Sequence, residues 1–302
     1  MIVLREVHKK FGARVAVHEL TLAVPRGEIF GLLGHNGAGK STAIGMMLGQ
    51  VWPTRGEVKV CGHDVTSQRA RALQKVGAIF EAPAFYDYLS GQRNLEILSH
   101  YSAPTPPERI HQVVDWVGLT GREQSKVRTY SHGMRARLAI AQALLPQPEL
   151  LILDEPGSGL DPEGIAEMRQ TIARLHRELG LTILLSSHLL GEVEQLCTRI
   201  AVLNQGRKVF EGQVADIKAA RGRVALRTPD FAGATALLRE RGIISGAIDG
   251  KYIALNEGRT TAEVAKVLVS ADIPVQGIWH EEQTLEDFYL TLVKAGNAAN
   301  HD

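Results

Sequence analysis

The chain has 302 residues, of which 44% are hydrophobic and 22% charged, a composition typical of soluble globular proteins that bury a core without disulfides or metals. Its 34 lysines and arginines balance 33 aspartates and glutamates, and the net charge of +1 argues against a general affinity for nucleic acid. The two cysteines, Cys61 and Cys197, fit no metal-binding spacing and indicate free thiols in a reducing cytosol.

No segment of the sequence predicts a membrane span. Met1–Gly12 alternates in polarity and carries charge, which favours a strand over a signal peptide. The longest apolar runs, Leu138–Leu145 and Leu181–Leu185, are far shorter than the roughly 18 residues that a membrane-spanning helix needs. If the protein serves a membrane, we therefore expect another chain to supply the membrane part.

The first part of the chain predicts short strands and one strand–loop–helix unit. Residues 1–30 alternate in polarity, with turns at Phe11-Gly12 and Pro25–Gly27. The apolar run Ile29–Leu33 predicts a buried strand that enters a glycine-rich turn. Two further elements are expected after this turn: a helix over Ser41–Gly49 and a strand pair over residues 56–66.

The middle of the chain changes from strands to helices and back to strands. Between about residues 83 and 145 polar helical patterns dominate, at Gln92–Tyr101, Pro107–Val117 and Ser131–Leu145. Leu150–Leu153 and Leu181–Leu185 are short and continuously apolar, as are strands buried on both faces. Because the helix predicted over Pro162–Leu179 lies between these two strands, the sequence predicts a parallel α/β core.

The order of elements predicts a second domain from about residue 216 onward. The expected elements are strand Val224–Arg227, helix Phe231–Arg241, strands Ile244–Ile248 and Tyr252–Leu255, helix Thr261–Ser270 and strand Pro274–Trp279. Asp249-Gly250 favours a hairpin turn, and the order β-α-β-β-α-β is that of a ferredoxin-like unit. We therefore expect one domain over residues 1–215 and an accessory domain over residues 216–302, which ends in a helix over Thr284–Lys294.

The strongest chemical signal is a phosphate-binding loop that fits the pattern G-x-x-x-x-G-K-S/T. It consists of Gly34, His35, Asn36, Gly37, Ala38, Gly39, Lys40, Ser41 and Thr42. The glycines let backbone N–H groups close on phosphate, Lys40 neutralises phosphate charge, and the Ser41 hydroxyl can bind Mg²⁺. Because an apolar strand precedes the loop and a helix follows it, the sequence predicts nucleotide binding.

A second signal is the run Leu150–Pro156, in which two carboxylates end a buried strand. Asp154 is predicted to bind Mg²⁺, and Glu155 to orient or deprotonate a water molecule. Taken alone, this run fits equally well a strand with an acidic exit turn. Beside the phosphate-binding loop, it indicates a nucleotide-hydrolysing site that uses Mg²⁺ and ATP.

With these motifs the chain resembles the ATP-binding cassette (ABC) family. Tyr130–Met134 stands where the family carries its Leu-Ser-Gly-Gly-Gln signature, Gly157–Pro162 is similar to the D-loop, and Leu184–His188 to the switch-histidine strand. The motifs follow the family order over residues 1–215. The resemblance implies an α/β P-loop ATPase core with an antiparallel β-subdomain and a helical subdomain at about residues 83–145.

The resemblance also implies an active site shared by two chains. Ser131 and Gly133 would contact the γ-phosphate bound by a second ATP-binding subunit, in a homodimer, and Asp161 would link the two sites. His188 would contact the γ-phosphate of its own site, and Phe11 would stack on adenine. Each residue has a structural alternative: Phe11 as core, His188 as a satisfied polar group, and Ser131 as an N-cap only.

The sequence departs from the family at two places. His132 replaces the first glycine of the signature and Met134 its glutamine, so only Ser131 and Gly133 match. Glu81 stands where the family usually has a glutamine that touches Mg²⁺ and water and couples to the membrane subunit. Because Mg²⁺ favours carboxylates, Glu81 is still expected as a metal ligand.

Short motifs further resemble the exporter branch that handles peptide antibiotics, drugs or surface glycans, among them Glu81–Tyr86 and Gln283–Phe288. This resemblance implies a cytoplasmic subunit held at the inner face of the membrane by a separate transmembrane permease. A soluble relative acting on nucleic acid or the ribosome is the alternative, but residues 43–129 lack coiled-coil heptads and the chain has one phosphate-binding loop. Self-protection against an antibiotic without transport stays open.

Overall fold

A computed structural model describes residues 1–80, 84–101, 105–219, 223–281 and 284–298. The chain forms two compact units, one built from Met1–Val214 with the described residues from Tyr289 onward, the other from Ala215–Phe288. The division into a domain 1–215 and an accessory domain 216–302 stays a prediction.

The first unit follows the predicted order of strands and helices. Its elements up to the helical segment are β1 (Ile2–Phe11), β2 (Arg14–Val24), β3 (Ile29–Leu33), α1 (Lys40–Met47), β4 (Arg55–Val60), β5 (His63–Asp64), α2 (Arg69–Leu73) and β6 (Val76–Ile79). The remaining elements are α3 (Gly91–Ser99), α4 (Pro107–Trp116), α5 (His132–Leu144), β7 (Leu150–Asp154), α6 (Pro162–Leu179), β8 (Thr182–Ser187), α7 (Leu190–Leu196), β9 (Arg199–Asn204) and β10 (Arg207–Gln213).

A four-stranded antiparallel sheet with the order β2-β1-β4-β5 forms the predicted β-subdomain. In β2, the buried residues Leu20, Leu22 and Val24 alternate with exposed ones, which is the period-2 pattern of a sheet with one buried face. In β1, a register shift separates the buried residues Leu4 and Val7, which are three positions apart.

The central sheet has six strands in the order β10-β9-β3-β8-β7-β6. Strands β9 to β6 pair in parallel, and β10 adds to the edge in antiparallel orientation. Every residue of β3 and β8 is buried, as the continuous apolar runs predict for strands covered on both faces. The parallel α/β core is thereby confirmed.

Three helices of the predicted helical segment are present as α3, α4 and α5. Serines stand at the N-cap positions of two of them: Ser90 accepts a hydrogen bond from Arg93 N, and Ser131 from Met134 N. These caps satisfy backbone N–H groups that a helix start leaves without a partner, so the helices begin where the sequence predicts within a residue.

The second unit has the predicted ferredoxin-like topology. Its elements are β11 (Arg223–Arg227), α9 (Phe231–Glu240), β12 (Ile244–Ile248), β13 (Tyr252–Leu255), α10 (Thr261–Ser270) and β14 (Gly277–Glu281), preceded by α8 (Val214–Ala219) and followed by α11 (Leu285–Ala298). The four strands form an antiparallel sheet in the order β12-β13-β11-β14. The last strand lies at Gly277–Glu281 and not at the predicted Pro274–Trp279, because its position is determined by its pairing with β11.

Neither a membrane-spanning helix nor a disulfide bond is found among the described residues. Within the ranges that the structure covers, no helix is long and apolar enough to cross a membrane. Cys61 and Cys197 are both free, as their spacing indicates, and Cys197 is buried. Burial raises the pKa of the Cys197 thiol well above its ordinary value, so this thiol is unreactive at neutral pH.

The second unit has a core of its own, which allows its independence to be tested. Leu238 in α9 is fully buried in a cluster with Val224, Val264 and Leu268. We expect Leu238→Ala to lower the free energy of unfolding of this unit by about 2–5 kcal/mol through the cavity it leaves. Denaturant unfolding measures this loss, while fluorescent-ATP binding is expected to keep its wild-type affinity. Loss of ATP binding in a variant whose first unit remains folded would contradict two separate units.

Candidate active site

Three neighbouring strands of the central sheet bring the predicted site residues together. In the sheet, β8 lies between β3 and β7, with Leu33 opposite Ser187 and Asp154 opposite Ser186. Because these strands are parallel, their carboxyl ends meet at one edge of the sheet. The loops that leave this edge carry the phosphate-binding loop, Glu155 and His188.

A cavity of about 460 Å³ opens at this edge and joins the predicted nucleotide residues. Its walls include the following residues: Phe11, Arg14, His35, Asn36, Gly37, Gly39, Lys40, Ser41, Thr42, Glu155, Ser158 and His188. Such a cavity has the size of a small-molecule site. Gly34 and Ala38 belong to the same loop: Gly34 O accepts from Lys40 Nζ, and the Ala38 N–H donates to His35 O.

The backbone geometry of the phosphate-binding loop requires glycine at position 39. Gly39 has φ of 103°, and a Cβ on it would lie 2.7 Å from the Ala16 carbonyl oxygen. Side chains other than hydrogen are therefore excluded both by conformation and by space. Gly39 is also the N-cap of α1 and provides no side-chain cap, so the first N–H groups of the helix stay available to an anion.

Lys40 turns its side chain back into the loop. Only 5% of this side chain is exposed, and Nζ donates to the Gly34 carbonyl oxygen at 2.6 Å. The same Nζ lies 3.1 Å from Glu155 Oε1. The ammonium group is thus held in the loop by the backbone carbonyls of Gly34 and His35 and by one carboxylate.

Glu155 lies between Lys40 and His188. Its second oxygen, Oε2, is 2.5 Å from His188 Nδ1. Since a carboxylate oxygen accepts, His188 donates this hydrogen bond from Nδ1. Lys40 and His188, both expected to meet the γ-phosphate, are therefore paired with the expected base.

Phe11 lies at the mouth of the cavity and is 51% exposed, which excludes the alternative that it is an ordinary core residue. Lys9 Nζ lies 4.7 Å from the centroid of its ring, so one face of the ring already interacts with a cation. Arg14 stands opposite Phe11 in the β1–β2 hairpin and lines the same cavity. Sequence reasoning missed Arg14; its place three residues after Phe11, across a tight turn, was the available signal.

The residues expected to hold Mg²⁺ fit a metal that also takes phosphate oxygens. Within the described residues, no group of three or more His, Cys, Asp or Glu could hold a metal by itself. Mg²⁺ commonly uses one or two protein oxygens and completes its shell with phosphates and water. Ser41 lines the cavity, and Asp154 ends β7 with Oδ1 accepting from Ser186 Oγ. Glu81 lies outside the residues that the structure describes.

The residues expected to act on a second chain lie outside this cavity. Ser131 and Asp161 are exposed, and they are the N-caps of α5 and α6. Asp161 Oδ1 accepts from Gly164 N, and a Cβ on Gly133 would lie 3.6 Å from the Cα of Gly164, so the two helix starts are neighbours. Both residues cap their own helices, which was the structural alternative for Ser131. The cap and a contact with a second chain are compatible.

The partly buried carboxyl group of Glu192 lies against the D-loop at Gly157. A Cβ on Gly157 would lie 2.9 Å from both carboxyl oxygens of Glu192, and Glu192 Oε1 has no hydrogen-bond partner within the described part of the chain. Burial raises the pKa of the Glu192 carboxyl; nearby His188 lowers it, and the negative charge of Glu155 raises it further. Sequence reasoning did not single out Glu192.

Comparisons with known proteins give one consistent family. A family model described as ABC transporter matches residues 17–158. The uncharacterized ABC transporter ATP-binding protein YhcH of Bacillus subtilis (strain 168) is 45% identical over 213 residues, which cover 70% of this chain and 70% of that protein. The bacitracin transport ATP-binding protein BcrA of Enterococcus faecalis is 35% identical over 294 residues, which cover 96% of each chain.

Solved structures give the same fold. A structure described as the ATP-binding subunit of an ABC transporter shares 28% sequence identity with this chain and superposes with a TM-score of 0.63. The match covers 73% of this chain and 92% of the solved one.

The raised pKa of Glu192 predicts a pH-dependent stability difference. The folded chain keeps this proton to a higher pH than the unfolded chain does, so the stabilisation is lost as pH rises through the folded pKa. We expect Glu192→Gln to be more stable than the wild type at about pH 8, with the difference shrinking towards pH 5. Denaturant unfolding over this range measures it. Glu108→Gln, which removes a solvent-exposed carboxyl, is the control; equal behaviour of the two variants would contradict the prediction.

Proposed function

The chain belongs to the ABC transporter family, as an ATP-binding subunit that hydrolyses ATP, and we propose that this hydrolysis drives export through a separate transmembrane permease. The observation that carries the proposal is the single cavity joining Phe11, the phosphate-binding loop, Glu155 and His188. Relatives such as BcrA, which the chain matches over nearly its full length, are named as transport proteins.

ATP binding rests on groups already arranged in the cavity. The ring of Phe11 stacks on adenine, as its exposure allows. Backbone N–H groups of the loop and the start of α1 receive the phosphates, and Lys40 neutralises their charge. Arg14 adds a second positive charge beside the loop, since a Cβ on Gly37 would lie 3.8 Å from its Nη2.

Ser41 and Asp154 would hold Mg²⁺ together with phosphate oxygens, and Glu81 is proposed as a third ligand. The bound ion supplies charge neutralisation at the β- and γ-phosphate oxygens. Asp154 can still bind Mg²⁺, since the hydrogen bond from Ser186 Oγ occupies only one lone pair of Oδ1 and leaves the other lone pairs of the carboxylate available.

Hydrolysis requires Glu155 to exchange its partners. Lys40 and His188 both contact its carboxylate. When the γ-phosphate enters, these two side chains turn to the phosphate, and Glu155 becomes free to orient a water molecule and accept its proton. The water oxygen then bonds to the γ-phosphorus while the bond to ADP breaks, giving ADP and phosphate.

A second copy of the chain completes the site. Ser131 and Gly133 at the start of α5 present N–H groups and the positive end of a helix dipole to solvent. The γ-phosphate bound by the partner chain accepts from these N–H groups, and Asp161 lies nearby at the start of α6. ATP thereby joins two chains, and loss of the γ-phosphate separates them.

The proposed cargo class follows the relatives. BcrA is named for bacitracin, and DrrA3 of Streptomyces coeruleorubidus, 33% identical over 300 residues, for daunorubicin resistance. We place this chain with exporters of antibiotic peptides, drugs or surface glycans, at the cytoplasmic face of the membrane, where Glu81 couples it to the permease. The net charge of +1 gives the nucleic-acid alternative no support.

Removing the proton acceptor separates binding from hydrolysis. Glu155→Gln keeps the size of the side chain but loses its charge, so we expect kcat for ATP hydrolysis to fall by about 10²–10⁴-fold while ATP still binds. Steady-state phosphate release and fluorescent-nucleotide binding measure the two. Glu163→Gln, at an exposed position near the D-loop, should hydrolyse ATP at the wild-type rate. Near wild-type turnover of Glu155→Gln at saturating Mg-ATP would remove Glu155 from this role.

Cross-linking tests the two-chain site. In a Glu155→Gln background with Cys61→Ser and Cys197→Ala, one chain carries Asn36→Cys and the other Ser131→Cys. We expect a short cross-linker to join the two chains with ATP and to give far less product without it. Tyr101→Cys, at another exposed position, replaces Ser131→Cys in the control and should give no ATP-dependent product. Monomers alone under both conditions, with ATP binding verified, would contradict the shared site.

A further inference from the structure

Ser186 occupies a position between the proposed metal ligand and the proposed base. It is the last residue but one of β8, is fully buried, and lies directly opposite Asp154 in the sheet. The three residues before it, Ile183–Leu185, are apolar, so Ser186 begins the polar end of the strand, which Ser187 continues.

The Ser186 hydroxyl makes two hydrogen bonds, one in each role. Its O–H donates to Asp154 Oδ1 at 2.5 Å. Its oxygen accepts from the backbone N–H of Glu155 at 2.9 Å. One oxygen atom therefore binds the side chain of Asp154 and the main chain of the next residue.

The hydrogen bond from the Glu155 N–H to Ser186 Oγ is made by a residue with an unusual backbone conformation. Glu155 has φ of 50°, in the left-handed region that residues other than glycine seldom adopt. Such a conformation persists only where the surroundings impose it, and it often marks a functional site. The bond from Glu155 N to Ser186 Oγ is one of the contacts that impose it, and it directs the side chain of Glu155 towards Lys40 and His188.

We propose that Ser186 is a positioning residue for ATP hydrolysis, which fixes the Asp154 carboxylate for Mg²⁺ and the Glu155 backbone for catalysis through one hydroxyl. This inference rests on the proposed function. Carboxylates that bind metals are generally oriented by further hydrogen bonds, and loss of such a bond typically costs 10–100-fold in metal affinity or activity. Rotation of Asp154 about its terminal bond is restricted while its Oδ1 accepts from Ser186.

A purely structural role makes a different prediction. Were Ser186 present only to satisfy buried polar groups, its loss would lower stability and leave metal affinity unchanged. Thr182, at the other end of the same strand, offers a matched comparison: it is fully buried, and its Oγ1 accepts from Gly27 N at 2.9 Å. Thr182→Val removes a buried hydroxyl and leaves a backbone N–H without its partner, but far from the site.

The test uses the full chain and four variants: Ser186→Ala, Ser186→Thr, Ser186→Cys and Thr182→Val. Mn²⁺ replaces Mg²⁺, and its binding in the presence of ATP is followed by electron paramagnetic resonance. Fluorescent-ATP binding in a metal chelator reports the nucleotide site alone, and kcat is measured separately. For Ser186→Ala we expect Mn²⁺ affinity to fall by about 10–100-fold, with chelator-insensitive nucleotide binding unchanged.

The remaining variants keep the test decisive. Ser186→Thr retains the hydroxyl and is expected to keep Mn²⁺ affinity within about threefold of the wild type, since the donor and acceptor remain. Ser186→Cys, which exchanges oxygen for a weakly donating sulfur, should lose about fivefold or more and serves if Ser186→Ala does not fold. Thr182→Val should keep wild-type affinity and kcat.

Failure of this inference can be distinguished from failure of the proposed function. Wild-type Mn²⁺ affinity and kcat in folded Ser186→Ala or Ser186→Cys would overturn the positioning role. An equal loss of Mn²⁺ affinity in Thr182→Val would overturn it too, because the effect would then be one of general stability. If the wild-type chain itself neither binds metal with ATP nor hydrolyses ATP, the proposed function fails rather than this inference.

Discussion

The backbone hydrogen bonds that align β3, β8 and β7 are the constraint on which the active site depends. They place Leu33 beside Ser187 and Asp154 beside Ser186, so that three loops must leave the sheet at one edge. Apart from Thr182 at the start of β8, none of these strands carries a polar residue before its last positions, since their interiors are buried on both faces. The chemistry is therefore confined to the strand ends, and the interior of the sheet holds the ends in place.

Charge pairing within the site follows from burial. Lys40 is almost completely enclosed, and a buried ammonium without a partner is costly. Glu155 compensates this charge and also contacts His188. Under the proposed function, the γ-phosphate substitutes one anion for another, so the free energy of ATP binding would include the loss of an internal ion pair. The same substitution would activate the proposed base only when substrate is present.

The sequence predicted most elements of the fold because their signals are local. Continuous apolar runs gave β3 and β8 within a residue or two, and proline at the start with glycine after the end delimited α6. The sequence predicted β14 two to three residues too early in the chain, because the position of this strand depends on its pairing register with β11, which is not a local signal. The contacts of Ser186 and the place of Arg14 in the cavity depend on strand alignment and hairpin geometry, which no short motif encodes. The ion pair of Lys40 with Glu155 likewise joins residues more than a hundred positions apart.

The N-cap at Ser131 uses only part of what a hydroxyl offers. Its oxygen accepts from Met134 N, which holds the start of α5, and its hydrogen is not consumed by this bond. Asp or Asn would cap the helix equally well, but Asp has no hydrogen to donate and would repel an anion. Serine thus stabilises the helix start with its lone pair and leaves its proton for an external acceptor. Under the proposed function that acceptor is the γ-phosphate bound by a second chain, so different atoms of one side chain would cap the helix and recognise a negatively charged group.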